Sequence, residues 1–201
     1  QLPALEKPVL CLTASPRFSE DRILLAGTDG AGILRSTDGG RHWNYASFGL
    51  QDFSIHVLAI VPEWNERETV FAATDTGLYR SPNAGRSWKC VNHDLESSVI
   101  LSITPSPNFG EDGIVFVGTE SDGIFRSCDG GFTWQQCRMI PKPHDTIAAI
   151  NAFWIDAPQN LYLAGTDDGQ ILRSPDRGQT WNELANVPTA IFCLFGNKQR
   201  L

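Results

Sequence analysis

Ser127-Cys128-Asp129-Gly130-Gly131-Phe132-Thr133-Trp134 is a box that occurs in four versions along this chain. The others are Ser36-Thr37-Asp38-Gly39-Gly40-Arg41-His42-Trp43, Ser81-Pro82-Asn83-Ala84-Gly85-Arg86-Ser87-Trp88 and Ser174-Pro175-Asp176-Arg177-Gly178-Gln179-Thr180-Trp181. Their tryptophans lie 45, 46 and 47 residues apart, so the chain is a repeat array.

Upstream of each box the same order of segments recurs. A unit opens on an apolar run, Val9-Leu10-Cys11-Leu12, Val57-Leu58-Ala59-Ile60, Ile100-Leu101-Ser102-Ile103, Ile150-Asn151-Ala152-Phe153 and finally Ile191-Phe192-Cys193-Leu194, which reads as a strand buried on both faces. These runs align Cys11, Ala59, Ser102, Ala152 and Cys193 as a column of small residues that packs tightly. A proline loop follows, with Phe18, Trp64 and Phe109 at matching places to cover the sheet edge. The second strand ends at Thr28, Thr74, Thr119 or Thr166, and an acidic glycine-bearing turn leads to a third strand carrying Arg35, Arg80, Arg126 or Arg173. The box turns into the fourth strand.

Four short antiparallel strands per repeat predict an all-β fold, a β-propeller of four-stranded blades. The blades are expected at 8–50, 54–95, 98–140 and 147–186 of one propeller domain or propeller fragment, with the inner strand of a fifth at 189–196. A lone inner strand leaves open edges. Three outcomes stay open: a fragment of a larger propeller, two copies that close a ring, or four blades closing alone.

The 201 residues carry a formal charge of −7 and no long basic run, which argues against nucleic acid as a partner. No apolar stretch approaches the roughly 18 residues of a membrane span, and the first residues lack the regions of a signal peptide. The chain is expected to be soluble, a processed or trimmed product since it starts at Gln1, and its compartment is left open. Among five cysteines no Cys-x-x-Cys pair suggests zinc, while a Cys128–Cys137 bridge across the third hairpin is conceivable.

The box pattern Ser-x-Asp-x-Gly-x-Thr-Trp resembles the Asp-box, or bacterial neuraminidase repeat, of sialidases, sortilin-type receptors, xyloglucanase-type glycosidases and photosystem II assembly factors. The third and fourth boxes match at every specified position; the first has His42 for Thr, and the second has Asn83 for Asp and Ser87 for Thr. In chemical terms the box is a turn. Asp38, Asn83, Asp129 and Asp176 accept backbone N–H bonds, glycine supplies positive φ, and Trp43, Trp88, Trp134 and Trp181 plug the blades. These acids are therefore structural, and the repeated arginines are read as scaffold.

Function is sought in the opposite loops. Asp29, Asp75, Glu120 and Asp167 match in one set; Asp52, Asp94, Asp145 and Asn186 match in the other when counted back from the small-residue column, with His93 and His144 beside two of them. An acidic crown of this kind attracts a cationic ligand, a basic protein segment or a divalent cation; no cofactor is otherwise expected. The resemblance implies no sialidase activity, because Tyr45, Tyr79 and Tyr162 all lie in or beside repeated strands and no arginine triad is identifiable. A xyloglucanase-type mechanism needs two carboxylates about 5 to 10 Å apart. The leading expectation is a non-catalytic propeller that binds a protein partner, with an assembly role; carbohydrate binding or glycoside hydrolysis is the alternative.

Overall fold

The computed structural model describes residues 7–63, 68–91, 93–95, 99–140, 150–156 and 161–192. Four sheets follow one another in chain order, and each is a meander. Blade 1 comprises β1 (Val9–Ala14), β2 (Leu24–Thr28), β3 (Ile33–Ser36) and β4 (Asn44–Tyr45); blade 2 comprises β5 (Ile55–Ile60), β6 (Val70–Thr74), β7 (Leu78–Ser81) and β8 (Lys89–Cys90). Blade 3 comprises β9 (Ile100–Pro105), β10 (Val115–Thr119), β11 (Ile124–Ser127) and β12 (Gln135–Gln136). After β13 (Arg138–Ile140), blade 4 comprises β14 (Ile150–Asp156), β15 (Leu161–Thr166), β16 (Gln170–Ser174) and β17 (Thr180–Asn186). Pairing within each blade is antiparallel. β13 is an addition: it leaves blade 3 and pairs parallel with β17, making the fourth sheet five-stranded.

The proline loops contain one helical turn each in blades 1 and 3, α1 (Phe18–Asp21) and α2 (Phe109–Asp112). Both are held by a side-chain clasp. Ser106 donates its hydroxyl to Asp112 at 2.7 Å while the other Asp112 oxygen accepts the Ile114 N–H at 2.8 Å, and Ser15 with Asp21 does the same in blade 1. Trp64 lies outside the described residues. Phe109 is fully buried and meets the ring of Phe71 in blade 2 edge to face at 6.1 Å, so it is core and unavailable for stacking on sugar.

The apolar core sits between blades. One cluster joins Leu25 and Ile33 of blade 1 to Ile55, Val70 and Trp88 of blade 2; a second joins Phe71 and Leu78 to Phe109, Val117 and Trp134; a third joins Phe116 and Ile124 to Tyr162, Leu172 and Trp181. A single four-stranded sheet this short cannot bury both faces alone, so each blade is stabilised by its neighbour. The inner strands pack in series, β1 on β5, β5 on β9 and β9 on β14, and among the described residues no comparable packing joins β14 back to β1. The described residues form an arc of four blades.

Register corrects the small-residue column. Cys11, Ser102 and Ala152 stand opposite Gly27, Gly118 and Gly165, but in blade 2 the residue opposite Ala73 is Val57, and Ala59 lies two places further on, opposite Phe71. Cys193 is outside the described residues. Of the predicted strand 189–196, the described part is not a strand, yet Ile191 donates its N–H to the Thr166 carbonyl at 2.9 Å and packs on Gly165 as Ile55 packs on Gly27. The Cys128–Cys137 bridge is absent. Cys128 is an exposed thiol, whereas Cys137 is buried in the core between blades 3 and 4 and its pKa is pushed up to about 12 by that burial.

Candidate functional site

The four boxes share one hydrogen-bonding scheme. In the third, Ser127 donates its hydroxyl to Asp129 at 2.7 Å and accepts the Gly131 N–H; the same Asp129 oxygen accepts the N–H groups of Phe132 and Thr133, and its other oxygen accepts the Thr133 hydroxyl. The fourth box repeats this with Ser174, Asp176 and Thr180. The first uses His42 Nδ1, 2.6 Å from Asp38, in place of threonine. In the second, Asn83 turns its amide nitrogen to Ser87 at 2.9 Å. Burial raises the pKa of Asp129, but these donors outweigh it and hold the carboxyl at about 2. The donors around these four side chains close the box turns.

Two of the repeated arginines and two of the tryptophans tie a blade to its neighbour. Arg35 Nε donates to the Ala84 carbonyl at 2.9 Å, and Arg80 Nε to the Gly130 carbonyl at 2.8 Å with its guanidinium 4.5 Å from the centre of the Phe132 ring. Trp88 and Trp134 send their indole N–H groups back to the carbonyls of Ala46 and Val91 in the preceding blade. Trp43 and Trp181 instead bond within their own boxes, to Gly40 and Gly178. Trp88 and Trp134 therefore join neighbouring blades.

On the opposite face, buried Thr28, Thr74, Thr119 and Thr166 close the turns between second and third strands by donating to the carbonyls of Gly32, Gly77, Gly123 and Gln170. The acids just after them fall into different surroundings. Asp29 pairs with Ser54 across a β-bridge; Asp52 accepts the Ser54 N–H at 3.0 Å, the Thr76 N–H at 3.0 Å and the Thr76 hydroxyl at 2.9 Å; Asp75 meets His56 Nε2 at 2.5 Å. Asp29, Asp52, Asp75 and His56 thus form one polar strip across blades 1 and 2. Burial raises the Asp52 pKa, but its donors outweigh that and lower it, keeping a negative charge there. Phe53 sits in the middle of the strip, 45% exposed, with its carbonyl accepting the N–H groups of Gly30 and Gly32.

Asp94 does not join this strip. Its carboxylate accepts the Trp134 N–H at 3.0 Å, at the boundary of blades 2 and 3, and Asn186 is still within β17. The count back from the inner strands fails because it started from Ala59 instead of Val57. His93 is exposed beside Asp94; Glu120 anchors its loop through an N–H bond to Val99, and Asp167 is exposed in blade 4. His144 and Asp145 lie outside the described residues. His56 and Phe53 were missed by sequence reading; the one available signal was a histidine interrupting an otherwise apolar strand. Among the described residues, no three His, Cys, Asp or Glu side chains are grouped to hold a metal ion. A polar recess of about 220 Å³ between blades 3 and 4, lined by Arg126, Gln135, Gln136, Cys137, Arg138 and Gln179, is smaller than the ~300 Å³ at which small-molecule sites usually begin.

No family model and no curated protein matches the sequence. Solved structures do match. An ancestral GH74 enzyme superposes with a TM-score of 0.74 at 20% identity over 89% of this chain and 24% of its own. YCF48 bound to D1 peptide gives 0.66 at 17% over 96% of this chain and 59% of its own, and the computationally designed Ika8 protein 0.66 at 17% over 94% and 53%. The chain is a partial β-propeller. The propeller spans about a quarter of the GH74 chain and little more than half of the other two. Among its described residues no helix is long and apolar enough to cross a membrane.

Proposed function

We propose that this propeller is a non-catalytic binding module for a protein partner, and that the strip on blades 1 and 2 receives an extended basic segment of that partner. The observation that carries this reading is Asp52: three hydrogen bonds fix its carboxylate in the ionised form, which suits charge recognition and not proton transfer. Asp29 and Asp75 flank it, and exposed Phe53 adds an apolar contact between the charges. The likeness to a propeller solved with a bound peptide supports a protein partner. The shared bonding of the four boxes supports a place among the Asp-box propellers.

The alternative is carbohydrate binding or glycoside hydrolysis, suggested by the likeness to a GH74 enzyme. Fluorescence anisotropy with a labelled Lys/Arg-rich peptide and its Glu-substituted counterpart separates the two. Binding of the basic peptide alone is expected, weakened by salt and about tenfold by Asp75→Asn or Phe53→Ala, a change of roughly 1.4 kcal/mol. Equal binding of both peptides, or turnover of β-glucan oligosaccharides, would overturn the proposal.

A further inference from the structure

The boundary between blades 3 and 4 departs from the two before it. Where Arg35 donates to the Ala84 carbonyl and Arg80 to the Gly130 carbonyl, the matching arginine is Arg126, whose Nε is buried with no hydrogen-bond partner among the described residues. The side chain that the next box sets over the arginine changes as well. In the third box it is Phe132, whose ring centre lies 4.5 Å from the Arg80 guanidinium; the same place in the fourth box is held by Gln179. A glutamine does not cover what a phenylalanine ring covers, and the recess of about 220 Å³ lies between Arg126 and Gln179.

The wall of this recess is rich in donors. Gln135 stands opposite Arg126 in the β11–β12 pair, and Arg138 opens β13 with its backbone N–H held by the Gln179 carbonyl at 3.0 Å. Two arginines and the amides of Gln135 and Gln179 thus meet in one place, and no carboxylate is among the residues that line it. This basic spot stands out on a chain of formal charge −7. The neighbouring box acid does not neutralise it by a hydrogen bond: the Asp176 oxygens accept from Ser174, Thr180 and the Gln179 N–H. A buried donor of a charged group that lacks an acceptor is costly, and an anion in the recess brings one.

We propose that the recess between blades 3 and 4 binds a phosphate-class oxyanion, held by Arg126 and Arg138 with Gln135 and Gln179 donating beside them. The anion gives Arg126 the acceptor that a box carbonyl gives Arg35 and Arg80. Donors from β11, β12, β13 and the fourth box surround it on several sides, which suits a tetrahedral ion better than the two coplanar oxygens of a carboxylate. The volume admits an inorganic ion or a single phosphoryl group and no larger ligand. The site is separate from the acidic strip on blades 1 and 2, and it links two blades whose arginine bridge is missing.

Isothermal titration calorimetry of the 201-residue chain with inorganic phosphate, at an ionic strength held constant with chloride, tests this. Saturable binding of one ion per chain is expected, weakened about tenfold by Arg138→Gln and unchanged by Lys89→Gln, which removes the same charge from exposed β8. Gln179→Phe copies Phe132 of the third box into the fourth and is expected to abolish binding while the melting temperature in chloride is kept. A parallel titration with O-phosphoserine identifies the source: tighter binding of inorganic phosphate assigns a free ion, and tighter binding of phosphoserine a phosphorylated side chain. No saturable heat with either ligand would overturn the proposal. So would equal weakening by Lys89→Gln and Arg138→Gln, or undiminished binding in Arg138→Gln or in a Gln179→Phe variant that circular dichroism shows to be folded.

Discussion

Arg80 of blade 2 and Gly130 of blade 3 are joined by a 2.8 Å hydrogen bond across fifty residues of sequence, from a guanidinium Nε to a box carbonyl. Arg35 and Ala84 repeat it one blade earlier, so the link belongs to the boundary between blades. Arg126 Nε holds the next place in this series and is buried without a hydrogen bond. In blades 2 and 3 the box therefore does two jobs: side chains close the turn, and a box carbonyl receives the preceding blade.

Removing that link weakens the fold. Arg80→Ala leaves the Gly130 carbonyl without its donor and uncovers the Phe132 ring, and is expected to lower stability by about 1.5–3 kcal/mol, the range for hydrogen bonds to charged groups. Arg80→Lys is expected to recover less than half, because a lysine lacks the planar fork. Urea unfolding midpoints measure both.

The box acid tolerates an amide but not a methyl. Asn83 already serves in blade 2 by turning its nitrogen to Ser87, so Asp129→Asn is expected to be nearly neutral near pH 7, with Thr133 receiving the amide. Asp129→Ala strands the Phe132 and Thr133 N–H groups and is expected to cost about 1–3 kcal/mol in thermal unfolding.

Acid sensitivity has a definite sign. The Asp129 carboxyl sits at about 2 in the folded chain against 3.8 unfolded, so its contribution is full above the unfolded value and is lost as pH falls toward 2. Asp176 shifts in the same direction. Melting temperatures taken between pH 5 and 2 are expected to fall less steeply in Asp129→Asn than in the unsubstituted chain.

Thiol labelling separates two nearby cysteines. Exposed Cys128 is expected to react with iodoacetamide in the native state, while Cys137, buried with its pKa pushed up to about 12, stays unmodified until denaturant is added. Peptide mass spectrometry reads each site.

Much of this architecture is legible in the sequence because turn chemistry is local: Ser, Asp and Gly at fixed offsets close a turn wherever they stand. The inner-strand register is not. Runs such as Val57-Leu58-Ala59-Ile60 are apolar on both faces, so no alternation marks which residue faces which; the true marker is the small residue opposite, Gly27, Ala73, Gly118 or Gly165. That two-place error carried into the loops and grouped Asp94 with Asp52. The roles of Asp94, bound to Trp134, and of His56, bound to Asp75, come from chain segments brought together by folding, for which sequence spacing has no signal.

The coupling of neighbouring blades through the boxes is tested most directly by hydrogen exchange on Arg80→Ala. Faster exchange of the Gly131 and Trp134 amides in blade 3, with the box amides of Gly85 and Ser87 in blade 2 unchanged, is the expected result. Exchange that quickens only within blade 2 would contradict it.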